Sequence, residues 1–415
     1  MSKTFEKQGF RARVGPIPFL AAATLSQTGM SFVQQGIVVM GVFFAQLYHL
    51  TLAQMGLVTT ALSLGVTTSM VIMGAVADRI GPRRLLFFGT GFMALLSLGL
   101  LKVTGFLALL FLLYVLGAAL AVAPASGTKA VFTAFQDRPR GMVMGIRQTG
   151  VPLGALLSAS LLPRLVRSLG FHDVFWVFFI ELLVFGWIFS AVMRPHPRPP
   201  RAVPASEGGG RNRAVLAGIW RPALIAVLLV SGQYLLLGFS LSDLHRVHHL
   251  SLAAAGLIVA AAQLGGGVGR VVTGTISDRL GGSKTLVLVG CAATGAVMSW
   301  VVALLPASVP FLLLALVWFF FGAGAVGWNA LTMTWAGESV PPEHSGFAMS
   351  SVGTSAFLGS AIFPPLFGAF VDTTHHFNWG WGLLGILLAF TGLLAWRFGR
   401  EQARSARAPL AGAGS

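Results

Sequence analysis

Long apolar runs separated by short polar segments dominate this 415-residue chain. A bilayer core needs about 20 mostly apolar residues per helical crossing, and a helix satisfies its own backbone where no water reaches it. We count twelve such runs and predict a transmembrane helix for each. The predicted spans are residues 17–46, 52–76, 85–101, 106–134, 142–163, 173–193, 217–241, 252–276, 285–305, 309–336, 346–370 and 379–398.

The composition supports an all-α membrane protein. Only 10% of residues are charged, 55% are hydrophobic and the mean hydropathy is +0.80, which is too apolar for an ordinary soluble domain. The single cysteine, Cys291, lies in an apolar run and predicts no disulfide. The first run is long and lacks a small-residue cleavage site, so we expect a retained span rather than a signal peptide.

Lysine and arginine are distributed unevenly between the two sides of the predicted membrane. One side carries 21 of the 28 basic residues, and the other carries only Lys102, Arg164, Arg167 and Arg246. This bias predicts that both termini are cytoplasmic. It also explains the net charge of +16 without a nucleic-acid partner. The Pro-, Gly- and Arg-rich stretch Arg194 to Arg213 predicts a cytoplasmic linker, which gives an N-terminal bundle 1–193, a linker 194–216 and a C-terminal bundle 217–415.

Two loops show that the halves are repeats. GAVADRIGPRR, from Gly74 to Arg84, recurs 200 residues later as GTISDRLGGSK, from Gly274 to Lys284. The same offset matches Gly56 and Gly65 with Gly256 and Gly265, and an offset of 205 pairs Gly154 with Gly359. Parallel repeats of this kind occur in transporters with a site near the membrane midplane. We therefore predict two six-helix bundles.

These motifs, with the Arg140-Gly141 pair that opens the fifth span, make the whole chain resemble the major facilitator superfamily. The resemblance implies a bacterial inner-membrane transporter that works by rocking-type alternating access, and we expect a monomer. Two positions depart from the drug/proton antiporters: Leu113 replaces the arginine that many proton-coupled members carry in their fourth helix, and Gly150-Val-Pro152-Leu-Gly154 is only a fragment of the exporter motif.

The repeated loop predicts a gate. Asp78 is costly at the membrane edge unless positive groups neutralise it, and the resemblance implies a contact with the eleventh helix that latches the outward-open state. Gly74 would allow close packing, and Gly81 would allow the turn. Alternatively, the charges only fix topology. The predicted gating residues are Gly74, Asp78, Arg79, Gly81, Arg83, Arg84, Gly274, Asp278, Arg279 and Gly281.

Three cations lie within predicted spans, where each suggests a function. Arg270 lies two turns before Asp278 and shares a helix face with Gln263; the resemblance places its helix on the central cavity, where several organic-anion carriers have an arginine. Arg147, next to Gln148, and Lys129 lie in spans that line the cavity by the same resemblance. Alternatives are open: Arg270 bound by helix-end carbonyls, Arg147 paired with Asp137, and Lys129 snorkelling to the interface.

Further polar residues inside spans are weaker candidates. Glu181 is the only carboxylate that we place well inside a span, and the resemblance puts its sixth helix in the supporting ring, so it either packs as a neutral acid or carries a coupling proton. The uncharged candidates for substrate contact, which could equally bridge helices, are Gln34, Gln35, Gln233, Tyr234, Trp328 and Asn329.

Other chemistry finds no support in the sequence. The histidines cluster in loops, where we expect surface residues rather than a metal site, and no nucleophile with a base is visible. We predict no enzyme activity, cofactor or metal. Three intramembrane cations against one carboxylate favour a small organic anion as substrate, with a coupling proton or anion exchange left open. The alternatives are a drug or metabolite efflux proton antiporter and a non-transporting membrane sensor or assembly protein.

Overall fold

A computed structural model describes residues 15–135, 143, 146–193, 209–280, 283–341 and 344–411. The chain divides into two compact units, Met1–Val203 and Pro204–Ser415, which we call the N-terminal and C-terminal bundles. The division falls inside the predicted linker, of which residues 194–208 lie outside the described ranges.

Helices form nearly all of both bundles. In the N-terminal bundle they are α1 Pro16–Val39, α2 Gly41–Tyr48, α3 Leu52–Ile80, α4 Pro82–Gly99, α5 Phe106–Leu120, α6 Lys129–Ala134, α7 Gly150–Leu169 and α8 Val174–Val192. In the C-terminal bundle they are α9 Gly209–Arg246, α10 Leu252–Arg279, α11 Lys284–Leu304, α12 Phe311–Val326, α13 Asn329–Glu338, α14 Ser345–Thr374 and α15 Phe377–Ala411.

Most predicted spans correspond to one helix, but three do not. Among the described residues nine helices are long and apolar enough to cross a membrane, or ten if α1 and α2, bent by 40°, count as one span. The fourth span is wrong as a continuous helix, because α5 and α6 are separated by a π-helical turn, Pro124–Thr128. The tenth is counted among the nine as Phe311–Glu338, although a turn at residues 327–328 divides it into α12 and α13. The total of twelve spans stays a prediction.

The three most extensive helix pairings of each bundle correspond through the repeat. They are α1 with α7, α3 with α5 and α4 with α8 in one bundle, and α9 with α14, α10 with α12 and α11 with α15 in the other. The N-caps also correspond: the side chains of Thr51 and Ser251, 200 residues apart, cap α3 and α10 by accepting a hydrogen bond from a backbone N–H. The predicted parallel repeat is therefore present in the fold.

Glycines set the closest of these crossings. A Cβ atom at either glycine of the α3–α5 pair would overlap a carbonyl oxygen of the other helix, so the backbones touch. The α10–α12 pair repeats the arrangement at the two offsets seen in the sequence. The glycines and the carbonyls they meet are Gly65 and Tyr114, Gly117 and Leu62, Gly265 and Phe319, and Gly322 and Ala262.

Candidate functional site

Arg270 lies beside the break in the tenth span. Its helix, α10, packs so tightly on α12 that a Cβ atom at Gly269 would lie 2.6 Å from the carbonyl oxygen of Ala323. Where α12 ends, Arg270 Nε donates to the carbonyl of Val326 at 3.3 Å. One turn further, Thr273 Oγ1 donates to the carbonyl of Gly327 at 3.0 Å. Two α10 side chains thus bind the carbonyls at the end of α12.

The guanidinium of Arg270 has no carboxylate partner among the described residues. The ion pairs among the described residues do not include it, and their hydrogen bonds use only its Nε. The side chain is half-buried. Helix-end carbonyls, the alternative considered from the sequence, do bind this arginine, but they carry only partial negative charge, so binding an anion is still possible.

Gln263 lies on the same face of α10 as Arg270, about 10 Å along the helix. It is only 2% exposed, and its amide nitrogen has no hydrogen-bond partner among the described residues. An unsatisfied buried donor is costly, and a hydrogen-bond acceptor on a ligand would satisfy it.

Arg147 is at the break of the fourth span in the other bundle. It is 3% exposed, and its Nη2 donates to the carbonyl of Ala123 at 3.3 Å, just before the π-helical turn. Gly127 makes room for the guanidinium, which a Cβ atom there would overlap. With the offset of 205, this break corresponds to the one at Arg270, although the two arginines come from different helices. Asp137, the partner considered from the sequence, lies outside the described residues.

The uncharged candidates differ in their burial and in whether their polar atoms already have hydrogen-bond partners. Trp328 is fully buried and donates its indole N–H to the carbonyl of Ala325 at 2.8 Å, so it binds a carbonyl in the last turn of α12. Gln35 and Gln233 are buried, and each has a side-chain oxygen without a hydrogen-bond partner among the described residues. Tyr234 is buried, whereas Gln34, Gln148 and Asn329 are half-buried. The side chain of Lys129 is outside what the structure describes.

The first copy of the loop motif forms hydrogen bonds within its own bundle. Arg83 Nε donates to the carbonyl of Ser190 at 3.1 Å, and Ser190 Oγ donates back to the carbonyl of Arg83 at 3.0 Å, which joins α4 to α8. Gly81 has φ of +86°, as expected for the turn. A Cβ atom at Gly74 or Gly274 would meet no described atom within 4 Å, so packing inside the bundle does not require glycine at either position. The contact expected between Gly74 and the eleventh helix stays a prediction.

Other members of the loop motif reach the surface or lie outside the described part of the chain. Arg79, Arg84, Asp278 and Arg279 are exposed. The side chain of Asp78 and all of Gly281 lie outside the description. In the second copy Lys284 forms an ion pair with Glu338, Nζ lying 2.5 Å from Oε2, which joins α11 to α13.

Two buried titratable residues were missed or misplaced from the sequence. Asp243 is 3% exposed in the last turn of α9, so a second carboxyl group is buried in a helix, although Glu181 stays the only one predicted well inside a span. The predicted span ended at residue 241, but the helix continues to Arg246. The indole N–H of Trp381 faces Asp243 without reaching hydrogen-bond geometry. His248, expected at the surface, is 7% exposed and packs edge-on to Trp318, with ring centroids 6.4 Å apart.

Comparisons with known proteins agree with this architecture. The chain is 28% identical over 337 residues, 81% of its length and 74% of the relative's, to an uncharacterized MFS-type transporter of Mycobacterium tuberculosis. It is 24% identical to a hexuronate transporter of Bacillus subtilis, covering 85% of this chain and 87% of that one. It is 25% identical to a "probable sulfoacetate transporter" of Cupriavidus necator, covering 83% and 84%.

A solved structure shares the fold. A bacterial homolog of the human lysosomal transporter Spinster superposes with a TM-score of 0.71 at 16% identity, covering 93% of this chain and 98% of that one. The family model of the Major Facilitator Superfamily matches residues 20–326 and 223–414, which together take in both bundles. The chain belongs to the Major Facilitator Superfamily of membrane transporters.

Proposed function

We propose that this secondary transporter moves a small organic anion that binds to Arg270. The observation that carries the proposal is the guanidinium held by a peptide carbonyl, with no carboxylate in its ion-pair range among the described residues. In a medium of low dielectric constant, a cation without a counter-charge attracts an anion strongly. Its terminal nitrogens can bind a carboxylate or sulfonate in a bidentate manner.

The relatives agree with an acidic solute. The hexuronate transporter and the sulfoacetate transporter are each named for an organic acid. We extend that class to this chain because Arg270 supplies the charge that such a solute needs. The residues that we propose as further parts of the substrate site are Gln263, Arg147, Lys129, Gln148, Gln233, Tyr234, Trp328, Asn329 and Gln34.

We further propose the membrane arrangement and the transport cycle. Both termini face the cytoplasm across the inner membrane, in accord with the bias of lysine and arginine. The bundles rock as units around the solute, and the loop motif with Asp78 and Asp278 stabilises one state. A monomer is sufficient for this cycle.

A ligand screen tests the substrate class. Purified protein is heated with glucuronate, sulfoacetate, glucose or tetraphenylphosphonium, since a ligand of the folded state raises its stability. We expect stabilisation by an acid and by neither of the other two. Stabilisation by tetraphenylphosphonium alone would favour the efflux alternative.

Substitutions of two arginines then test the site. We expect Arg270→Gln to weaken binding of the acid at least about tenfold, because a charged hydrogen bond contributes about 1.5–3 kcal/mol and about 1.4 kcal/mol is tenfold. Arg164→Gln is the matched control, because Arg164 also donates to a backbone carbonyl, that of Ser160 at 2.9 Å, but is exposed. Equal binding by both variants would overturn the assignment, and absence of uptake into proteoliposomes would favour a sensor.

A further inference from the structure

The carboxyl group of Glu181 points from α8 into a notch on α1. Both of its oxygens are buried without a hydrogen-bond partner among the described residues. The notch exists because residue 29 is glycine: a Cβ atom there would overlap Oε1 of Glu181 and would lie 3.2 Å from Cβ of Phe185. A group that the sequence placed in the supporting ring is thus directed at the first helix of the bundle.

No cation among the described residues compensates this group. The helices packed against α8 are α1, α4 and α7. Helix α1 has no charged residue. Arg83 of α4 binds at Ser190, nine residues and about 13 Å along α8 from Glu181, and Arg84 is exposed.

The remaining charged groups of these helices lie elsewhere. Helix α7 contributes Arg164, exposed and bound to its own backbone, and Arg167 in its last turn. Glu181 is the only charged residue of α8. An ionised carboxylate without a cation or a hydrogen-bond donor is very costly to bury, whereas the neutral acid costs much less. The notch therefore fits the protonated carboxyl group.

We infer that Glu181 and the Gly29 notch form a proton-binding site that couples protons to transport. The inference deepens the proposed function, on which it rests, by naming the coupling ion. Loss of the proton would produce a carboxylate that must move out of the notch or admit water. Either change alters the packing of α1 against α8.

The packing of α1 affects a second helix on its other side. Helix α1 also packs against α7, where a Cβ atom at Gly150 would lie 2.8 Å from the carbonyl oxygen of Thr24 and one at Gly154 would overlap that of Thr28. Helix α7 begins three residues after Arg147. A shift of α1 is thus transmitted by direct backbone contact to the segment that carries Arg147.

Infrared spectroscopy of the full-length protein tests the site without any ligand. We expect a C=O stretching band of a protonated carboxylic acid that Glu181→Gln removes. Gly29→Ala, which fills the notch, should shift or weaken the band, whereas Gly91→Ala, whose added methyl group meets nothing within 4 Å, should leave it unchanged. An unchanged band in Glu181→Gln, or a band lost only in Asp243→Asn, would overturn the inference.

Proteoliposome transport tests the coupling separately from the anion site. With glucuronate and sulfoacetate as the solutes, an inward proton gradient should drive accumulation by the native protein, and Glu181→Gln should reduce that accumulation at least tenfold while keeping its thermal stabilisation by the acid. If the acid does not raise the thermal stability of the native protein, that result contradicts the anion site and not the proton site. Gradient-driven accumulation by Glu181→Gln at the native level would refute coupling.

Discussion

The N-terminal and C-terminal bundles repeat the same helix crossings but place their buried charges differently. The glycines at the α3–α5 crossing have counterparts at the α10–α12 crossing. In each bundle the span that begins with α5 or α12 is interrupted just after that helix. The arginine at each interruption comes from a different helix, and among the described residues only the N-terminal bundle has a carboxyl group in a glycine notch. The repeat therefore determines the backbone frame, while the polar chemistry is particular to each bundle.

The largest expected effect is on the shared frame. Gly322→Val should destabilise the protein by about 3 kcal/mol or more, because the new side chain would overlap the Ala262 carbonyl and a backbone contact cannot yield as a side chain can. Gly117→Val should act similarly at the equivalent crossing. Thermal unfolding in detergent measures both.

The matched control for the frame is Gly290→Val on α11, where a Cβ atom meets nothing within 4 Å. Its effect should be small. If it destabilises as much as Gly322→Val, helix propensity rather than the crossing explains the loss, and the comparison of frames fails.

The next effect separates the two arginines. Arg147→Gln should lower stability by about 2 kcal/mol or more, since it empties the hollow at Gly127 and removes a buried hydrogen bond to a charged group. Arg270→Gln should change stability by less than about 1 kcal/mol, because the side chain is half-buried. Unfolding midpoints without ligand test this, and the reverse order would contradict our distinction.

A smaller effect is expected where the loop copies differ. Lys284→Met removes the ion pair with Glu338, whose side chain is 55% exposed, so we expect a loss of about 1 kcal/mol or less. The loss should shrink in high salt. Ser190→Ala removes the corresponding uncharged contact with Arg83, and its effect should be independent of salt; salt dependence in both would erase the difference.

The smallest effect concerns position 48 and its repeat. Tyr48 donates to the carbonyl of Val103 in one bundle, whereas burial lowers the pKa of His248 in the other. A base whose pKa is lower in the folded state binds more protons in the unfolded state. The stability of the fold should therefore decrease as the pH drops below the ordinary histidine pKa of about 6.5. His248→Gln should flatten this dependence, but the exposed control His376→Gln should not.

Sequence patterns predicted the repeat and the face of α10, because both depend on spacings along the chain. They allowed helix-end carbonyls as one partner of Arg270 but could not predict which carbonyl, because hydropathy averages over the turn after Val326 and predicts one continuous span. Asp243 was missed for a related reason: the polar residues after position 241 look like a loop, although the helix continues to Arg246 and buries Asp243. The Glu181 notch required knowing that Gly29 lies opposite.

The carbonyl that holds Arg270 has a consequence for the range of conditions in which the protein works. A peptide oxygen does not titrate, and no side chain can be substituted to remove it. The attraction at Arg270 should therefore persist in acid medium, where a carboxylate partner would be lost. Acid would then limit transport through the solute itself, because a weak acid that has taken up its proton no longer offers an anion to the guanidinium.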